Sequence, residues 1–352
     1  MAAFCTLLIN GIKTTQHISI CALGLAVMII FPILAYGQTS AVIIMYHRFG
    51  ESGYPTTNTT IQQLEQHITE LKSGPYTVLP VEEIIDKFLA GTPLPRRTVG
   101  ITIDDAYRSV YTQAWPRFKQ AGIPFTVFTS TAYVDQDSPG HLSWEQIREM
   151  RAQGGVAIGH HTVTHLHMPM ADEQRNRVEI DAALKRFKAE LGITPQLFSY
   201  PYGETSLSGS ALIRQAGFKA AFGQHSGVLG SINDAYNFPR FAMNEKYGDL
   251  ARFRMAINAM ALPVQDLTPK AHVVGKRNPP AIGFTLRGKL ANISQLACFT
   301  SHAGRARLEH LGPRIEVRID KPFPTGRTRL NCTLPATEGR WRWLGRQFLK
   351  IE

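Results

Sequence analysis

The sequence predicts a mixed α/β domain, with parallel strands joined by crossover helices in a sheet or barrel, followed by a small all-β domain. Two observations predict it. From Ala41 onward, short β-branched runs alternate with segments of helical periodicity. That alternation sets strands parallel, with helices crossing over them. Beyond a stretch carrying Pro263, Pro269, Pro279 and Pro280 the helical periodicity stops, and only short alternating runs such as RIEVRI, TRLNCTL and RWRWLGRQFLKI remain.

The elements follow in order. AVIIMYH reads as the first strand and TIQQLEQHITELKS as the helix after it; TVGITID is the next strand, and YRSVYTQAWPRFKQAG is amphipathic at helical spacing. PFTVFTS is a third strand. SWEQIREMRAQ opens with Ser143 and Gln146 at capping-box spacing, GVAIG is a strand, and a long helix runs from Asp172 to Leu191. QLFSYP and a helix ending at Gly217 complete the alternation. Tyr111 and Trp115 fall at helical spacing and read as core, and the Lys185 to Lys188 charges as a solvated helix face. In the last strand, period-two geometry sets Trp341 and Trp343 on one face and Arg340 and Arg342 on the other.

With 352 residues, 44% hydrophobic and 18% charged, the chain can bury a full core, which excludes a disordered tail or a small disulfide scaffold. Its only apolar run near membrane length is Ile18 to Leu34, followed by Ala35-Tyr36-Gly37, a small-x-small pattern that a signal peptidase cuts. Residues 1–37 therefore read as an export signal or an uncleaved anchor, and both readings put the remainder outside the cytoplasm. The boundaries that follow are 38–262 for the α/β domain and 263–352 for the β domain. Cys298 and Cys332 are the only cysteines beyond the export segment, a pair suited to a disulfide in an oxidising compartment.

The net charge of +11 is uneven. Residues 1–262 hold 22 Lys+Arg against 21 Asp+Glu, while residues 263–352 hold 16 against 6, so +10 sits in the last 90 residues. Outside the cytoplasm such a patch faces acidic envelope polymers or anionic membrane surfaces rather than nucleic acid.

Two constellations carry chemistry. Four of twelve histidines lie within GHHTVTHLH, directly after GVAIG. If that segment turns helically, His161 and His165 share a face and reach one ion, as a Zn²⁺ site needs. TVGITID ends in Asp104-Asp105, adjacent carboxylates in an apolar setting, where ionised groups need a cation or hydrogen bonds. Their side chains diverge on an extended strand, so one can ligate a metal while the other takes a proton from water.

TIDDAYRS, HTVTH and FSYPYG, in that order, resemble the polysaccharide deacetylases of carbohydrate esterase family 4, the NodB-homology domain, over about Ala41 to Asn244. MYHRF on the first strand resembles a lead-in found in members acting on exported polysaccharides. The resemblance implies a deformed (β/α) barrel of about seven strands with its site at the C-terminal strand ends. It implies Asp104 as general base, Asp105, His161 and His165 as ligands of a divalent metal, Zn²⁺ foremost with Co²⁺ or Ni²⁺ also suited, and the Tyr202 backbone N–H as oxyanion donor. The implied activity is metal-dependent hydrolysis of N-acetyl groups on N-acetylglucosamine-containing polysaccharide or oligosaccharide, of chitooligosaccharide type.

Three departures stand out. The family's glycine after the two aspartates is Ala106, which on this reading needs only a negative φ. Ser199 replaces the arginine that steadies the catalytic aspartate, and Arg240 in NFPRFAMN is the candidate substitute guanidinium. No Leu-x-His motif is present to protonate the leaving amine; His225 in AFGQHSG is the candidate acid, and His47 at the end of the first strand a candidate pocket residue. These departures also motivate an alternative, a catalytically disabled carbohydrate-binding protein on the same barrel.

Overall fold

A computed structural model describes residues 40–352 apart from 231–233; the segment read as export signal or anchor lies outside the described residues. Seven parallel strands form an open barrel: β1 (Val42–Tyr46), β2 (Thr98–Asp104), β3 (Phe125–Thr129), β4 (Val156–His160), β5 (Leu197–Ser199), β6 (Ala220–Phe222) and β7 (Phe241–Ala242), in the spatial order β7-β1-β2-β3-β4-β5-β6. A single bridge between Phe222 and Phe238 brings the two edges together. The deformed barrel implied by the sequence motifs is the fold observed.

Both faces of these strands are covered, which is why they read as continuous apolar runs. Along β1 the alternation sorts residues into two cores. Val42, Ile44 and Tyr46 join Leu64 and Leu71 of α1 (Ile61–Ser73), whereas Ile43 joins Val81 and Ile84 of α2 (Val81–Leu89) together with Phe128, Phe222 and Phe238. The crossover helices begin where side chains can satisfy their free N–H groups. Thr60 and Gln63 form a capping box on α1, and Ser143 and Gln146 form the predicted one on the helix Trp144–Ala152. The long helix Glu173–Leu191 is capped by Asp172 and stops at Gly192, whose φ of 69° suits glycine.

The C-terminal strands form two facing sheets around their own core of Ile282, Phe284, Ile315, Leu330, Leu334 and Phe348. The proline-rich stretch is itself part of this sandwich, since Val264–Thr268 pairs with Ile282–Leu286. Cys298 and Cys332 are disulfide-bonded across neighbouring strands. With a sequence separation of 34, the bond is worth roughly 4 kcal/mol in the chain-entropy account.

The sandwich is docked on the barrel by its last strand, Trp341–Lys350. Trp343 meets Phe241 of β7 edge-on at 5.2 Å, so it serves the barrel core, while Trp341 is exposed. Arg340, just before this strand, is buried and donates to the Asn258 carbonyl at 2.7 Å. At Gly345 the backbones touch: a Cβ there would lie 1.6 Å from the Ser226 carbonyl oxygen. Gly345→Val should therefore force the two layers apart and cost ~2 kcal/mol or more, a fall in Tm of roughly 2–4 °C or greater by thermal denaturation. An unchanged Tm would show that this contact does not hold the layers together.

Candidate active site

β2 delivers Asp104 to the C-terminal end of the barrel, fully buried. Arg240, which immediately precedes β7, meets it with a two-pronged pair: Nη1 donates to Oδ1 and Nη2 to Oδ2, both at 2.7 Å. The rest of the guanidinium is also used, by Gly223 O (2.9 Å), Thr102 Oγ1 (3.1 Å) and Ser199 Oγ (2.8 Å). Ser199 Oγ also donates to Asp104 at 3.3 Å, so the serine standing where the family has arginine joins the same network. Burial alone would raise the Asp104 carboxyl; the charge and hydrogen bonds of Arg240 outweigh it and hold the group below the usual carboxylate range.

After Asp104 the chain leaves the strand abruptly. Asp105 has φ 71° and Ala106 φ 53°, both left-handed, which overturns the expectation that Ala106 needs only a negative φ. Each costs about 1 kcal/mol or more for a non-glycine residue. The turn, rather than strand alternation, swings the Asp105 carboxylate away from Asp104 and toward two imidazoles.

His161 follows β4, and His165 lies four residues on, in a segment that is not helical as expected but an irregular turn with Thr162 and His165 at φ 66° and 58°. The rings converge nonetheless. Nε2 of each lies 3.3 Å from Asp105 Oδ1, and the three candidate ligand atoms all fall within 4.8 Å of one another. His161 Nδ1 donates to the Ser199 carbonyl at 2.7 Å, which fixes the tautomer and leaves the Nε2 lone pair facing Asp105. Asp105 Oδ1 and His161 Nε2 are buried without hydrogen-bond partners. Two nitrogen donors and a carboxylate turned to a common centre fit a divalent cation, and the orphaned atoms are those a cation would engage.

The turn is anchored by a residue the sequence reading missed. Glu179, buried on the long helix, accepts from Val163 N (2.9 Å), Thr164 N (2.8 Å) and Thr164 Oγ1 (2.9 Å). A signal was present: Glu179 shares the inward stripe of Asn176, Ile180, Ala183 and Phe187, where a carboxylate needs a partner.

The YPYG turn forms the opposite wall. Tyr202 sits at φ 59°, its ring 4.5 Å from His165 and stacked at 3.6 Å on His167. The sandwich steadies this turn, since Gln347 Nε2 donates to Gly203 O (3.0 Å) and Arg327 Nη1 to Tyr202 O (3.2 Å). On the rim, the Arg48 guanidinium lies between the rings of Tyr54 and Tyr107, at 3.9 and 3.4 Å.

The two remaining histidines part company. Tyr46 pairs with Ile103, so His47 comes alongside Asp104; burial lowers its pKa, and Asp105 and Asp104 are the charges opposing that shift. His225 is buried elsewhere. It lines a cavity against the sandwich, and the charges acting on it are His272, Arg346, Arg240 and Arg329, not the aspartates. Its backbone carbonyl accepts from Arg240 N–H at 2.9 Å.

Comparison with known proteins agrees with this geometry. Residues 91–221 match the family model of polysaccharide deacetylase. YxkH of Bacillus subtilis (strain 168) is 28% identical over 161 residues, 46% of this chain and 56% of that one, so the chain spans little more than half of that relative's length. The poly-beta-1,6-N-acetyl-D-glucosamine N-deacetylase of Staphylococcus aureus (strain MSSA476) is 25% identical over 238 residues, covering 60% of this chain and 81% of that one. Among solved structures, the Streptococcus pyogenes deacetylase PplD superposes with a TM-score of 0.58 at 19% identity, over 62% of this chain and 98% of that one. The barrel, the motifs on its strand ends and the matching family model agree: residues 91–221 of this chain carry a polysaccharide deacetylase domain.

Proposed function

We propose that this chain is an exported, divalent-metal-dependent N-deacetylase of polysaccharides built from N-acetylglucosamine, and that a β-1,6-linked polymer of the kind named for the S. aureus relative is its substrate class. The observation carrying the reading is the convergence of Asp105, His161 and His165 beside an Asp104 kept ionised by Arg240. Zn²⁺ suits the donor set, and Co²⁺ or Ni²⁺ would fit it. When bound, the cation supplies Lewis acidity to the acetamide carbonyl and to the attacking water. Asp104 accepts the proton that water loses as its oxygen adds to the carbonyl carbon. The Tyr202 N–H donates to the oxyanion that forms. His47, level with Asp104 and neutral at rest because burial lowers its pKa, relays to the amine the proton that Asp104 took from water as the C–N bond breaks, releasing acetate. Export is supported by the apolar leader ahead of the domain and by the Cys298–Cys332 disulfide. The basic last 90 residues suit an acidic envelope polymer or anionic membrane surface.

Acetate release from β-1,6-linked N-acetylglucosamine oligomers should vanish on chelation and return with Zn²⁺. Asp104→Asn should keep stoichiometric metal yet lose roughly 10²- to 10⁴-fold in kcat. Absence of release by the metal-loaded wild type on these oligomers and on other N-acetylglucosamine polymers would sink the reading and favour a carbohydrate-binding role. Kinetics of two further variants separate the candidate acids: His47→Asn should lose at least tenfold more kcat than His225→Asn, and the reverse order would return the acid role to His225. Tyr202→Ala should cost less than Asp104→Asn, because the donated N–H belongs to the backbone.

A further inference from the structure

A second cavity, of about 550 Å³, lies where the barrel meets the sandwich and shares no lining residue with the Asp105, His161 and His165 cluster. The barrel contributes His225 and Asn237 to its wall, and the sandwich contributes His272 and Arg346. Arg346 is 94% buried by its 6% exposure, yet its Nε and Nη2 have no hydrogen-bond partner. Its guanidinium lies 5.2 Å from the Phe348 ring, and burial pulls it down to about 10 with no carboxylate offsetting the shift. His225 Nδ1, also on this wall, is buried and unpartnered as well.

An unpaired guanidinium in a protein interior is strongly unfavourable, and the arrangement becomes favourable when an anion completes it. The free Nε–Nη2 edge is the fork that grips a planar oxyanion through two parallel hydrogen bonds. Burial together with neighbouring cationic groups holds His225 well below its ordinary value, and burial and Arg346 bring His272 down to about 3, so both rings are neutral near pH 7. The interior therefore offers a single fixed positive charge. At the exposed edge Lys270 and Asp266 carry opposite charges, and Asp234 already faces Arg214 at 3.7 Å.

We propose that this cavity binds a carboxylate-bearing ligand of about sugar-acid size, gripped by the Nε–Nη2 edge of Arg346 with His225 Nδ1 as a further polar contact. A singly charged carboxylate balances the one interior charge. A phosphate dianion would exceed it.

The test is calorimetric titration of the full chain after chelation, so that binding at the catalytic cluster is not what is read. Glucuronate should bind at one per chain, and Arg346→Met should weaken it by roughly 10- to 100-fold, the loss of charge-assisted hydrogen bonds. Arg346→Lys, which keeps charge without the fork, should fall between. Thermal denaturation provides a folding control: free of ligand, Arg346→Met should melt no lower than wild type, because it removes an uncompensated buried charge. A tetragalacturonate arm identifies the source, with much tighter binding than glucuronate pointing to an acidic polymer and equal binding to a free sugar acid. The proposal is overturned if neither acid binds the wild type, if Arg346→Met binds them equally well, if inorganic phosphate binds more tightly than glucuronate, or if Arg346→Met melts lower than wild type, which would make the arginine structural.

Discussion

The buried pair between Arg240 and Asp104 is the interaction on which the rest of this structure depends. The guanidinium reaches the end of β2, the Ser199 hydroxyl at the end of β5 and the Gly223 carbonyl after β6, while its own backbone leads into β7. One side chain thus ties both edges of an open barrel to its middle. Neither member can be buried alone, and breaking such a pair by removing one partner costs roughly 3–5 kcal/mol. The same contact keeps a carboxylate ionised where burial would otherwise neutralise it. Stability and reactivity at this end of the barrel therefore rest on the same hydrogen bonds.

Around that pair the chain divides two adjacent carboxylates by backbone conformation. Left-handed residues at 105 and 106 send the second aspartate toward His161 and His165, and further left-handed residues at 162 and 165 bring those rings to it. Such strain persists only where neighbours fix it. Glu179 fixes the histidine turn from below, and the Ser199 carbonyl fixes the His161 ring. The sandwich fixes the YPYG turn from outside through Gln347 and Arg327. The C-terminal strands are thereby part of the site's support, not an appendage to it.

Much of this was legible in the sequence because it is local. Strand and helix periodicity, the Ser143–Gln146 capping box and the spacing of Asp104-Asp105, His161 and His165 are all carried by neighbouring residues. What could not be read depends on distance along the chain. Nothing near Ala106 announces a positive φ, since the turn is imposed by what Asp105 must face. The choice between His47 and His225 depends on strand register, which only the paired β1 and β2 reveal. Arg240 could be named as a substitute guanidinium, but its link to Ser199 joins residues 41 positions apart. Glu179 left a trace as a carboxylate on an inward helix stripe, and only the fold shows the two backbone N–H groups that stripe meets.

The central claim is that Arg240 acts on the chemistry through Asp104. A double-mutant cycle on kcat/KM for acetate release, combining Arg240→Gln with Asp104→Asn in metal-loaded protein, tests it directly. Arg240→Gln should cost roughly 10²-fold alone and little more once Asp104 is already Asn, because the two residues act as a unit. Equal losses in both backgrounds would contradict the account and leave Arg240 a structural residue independent of the base.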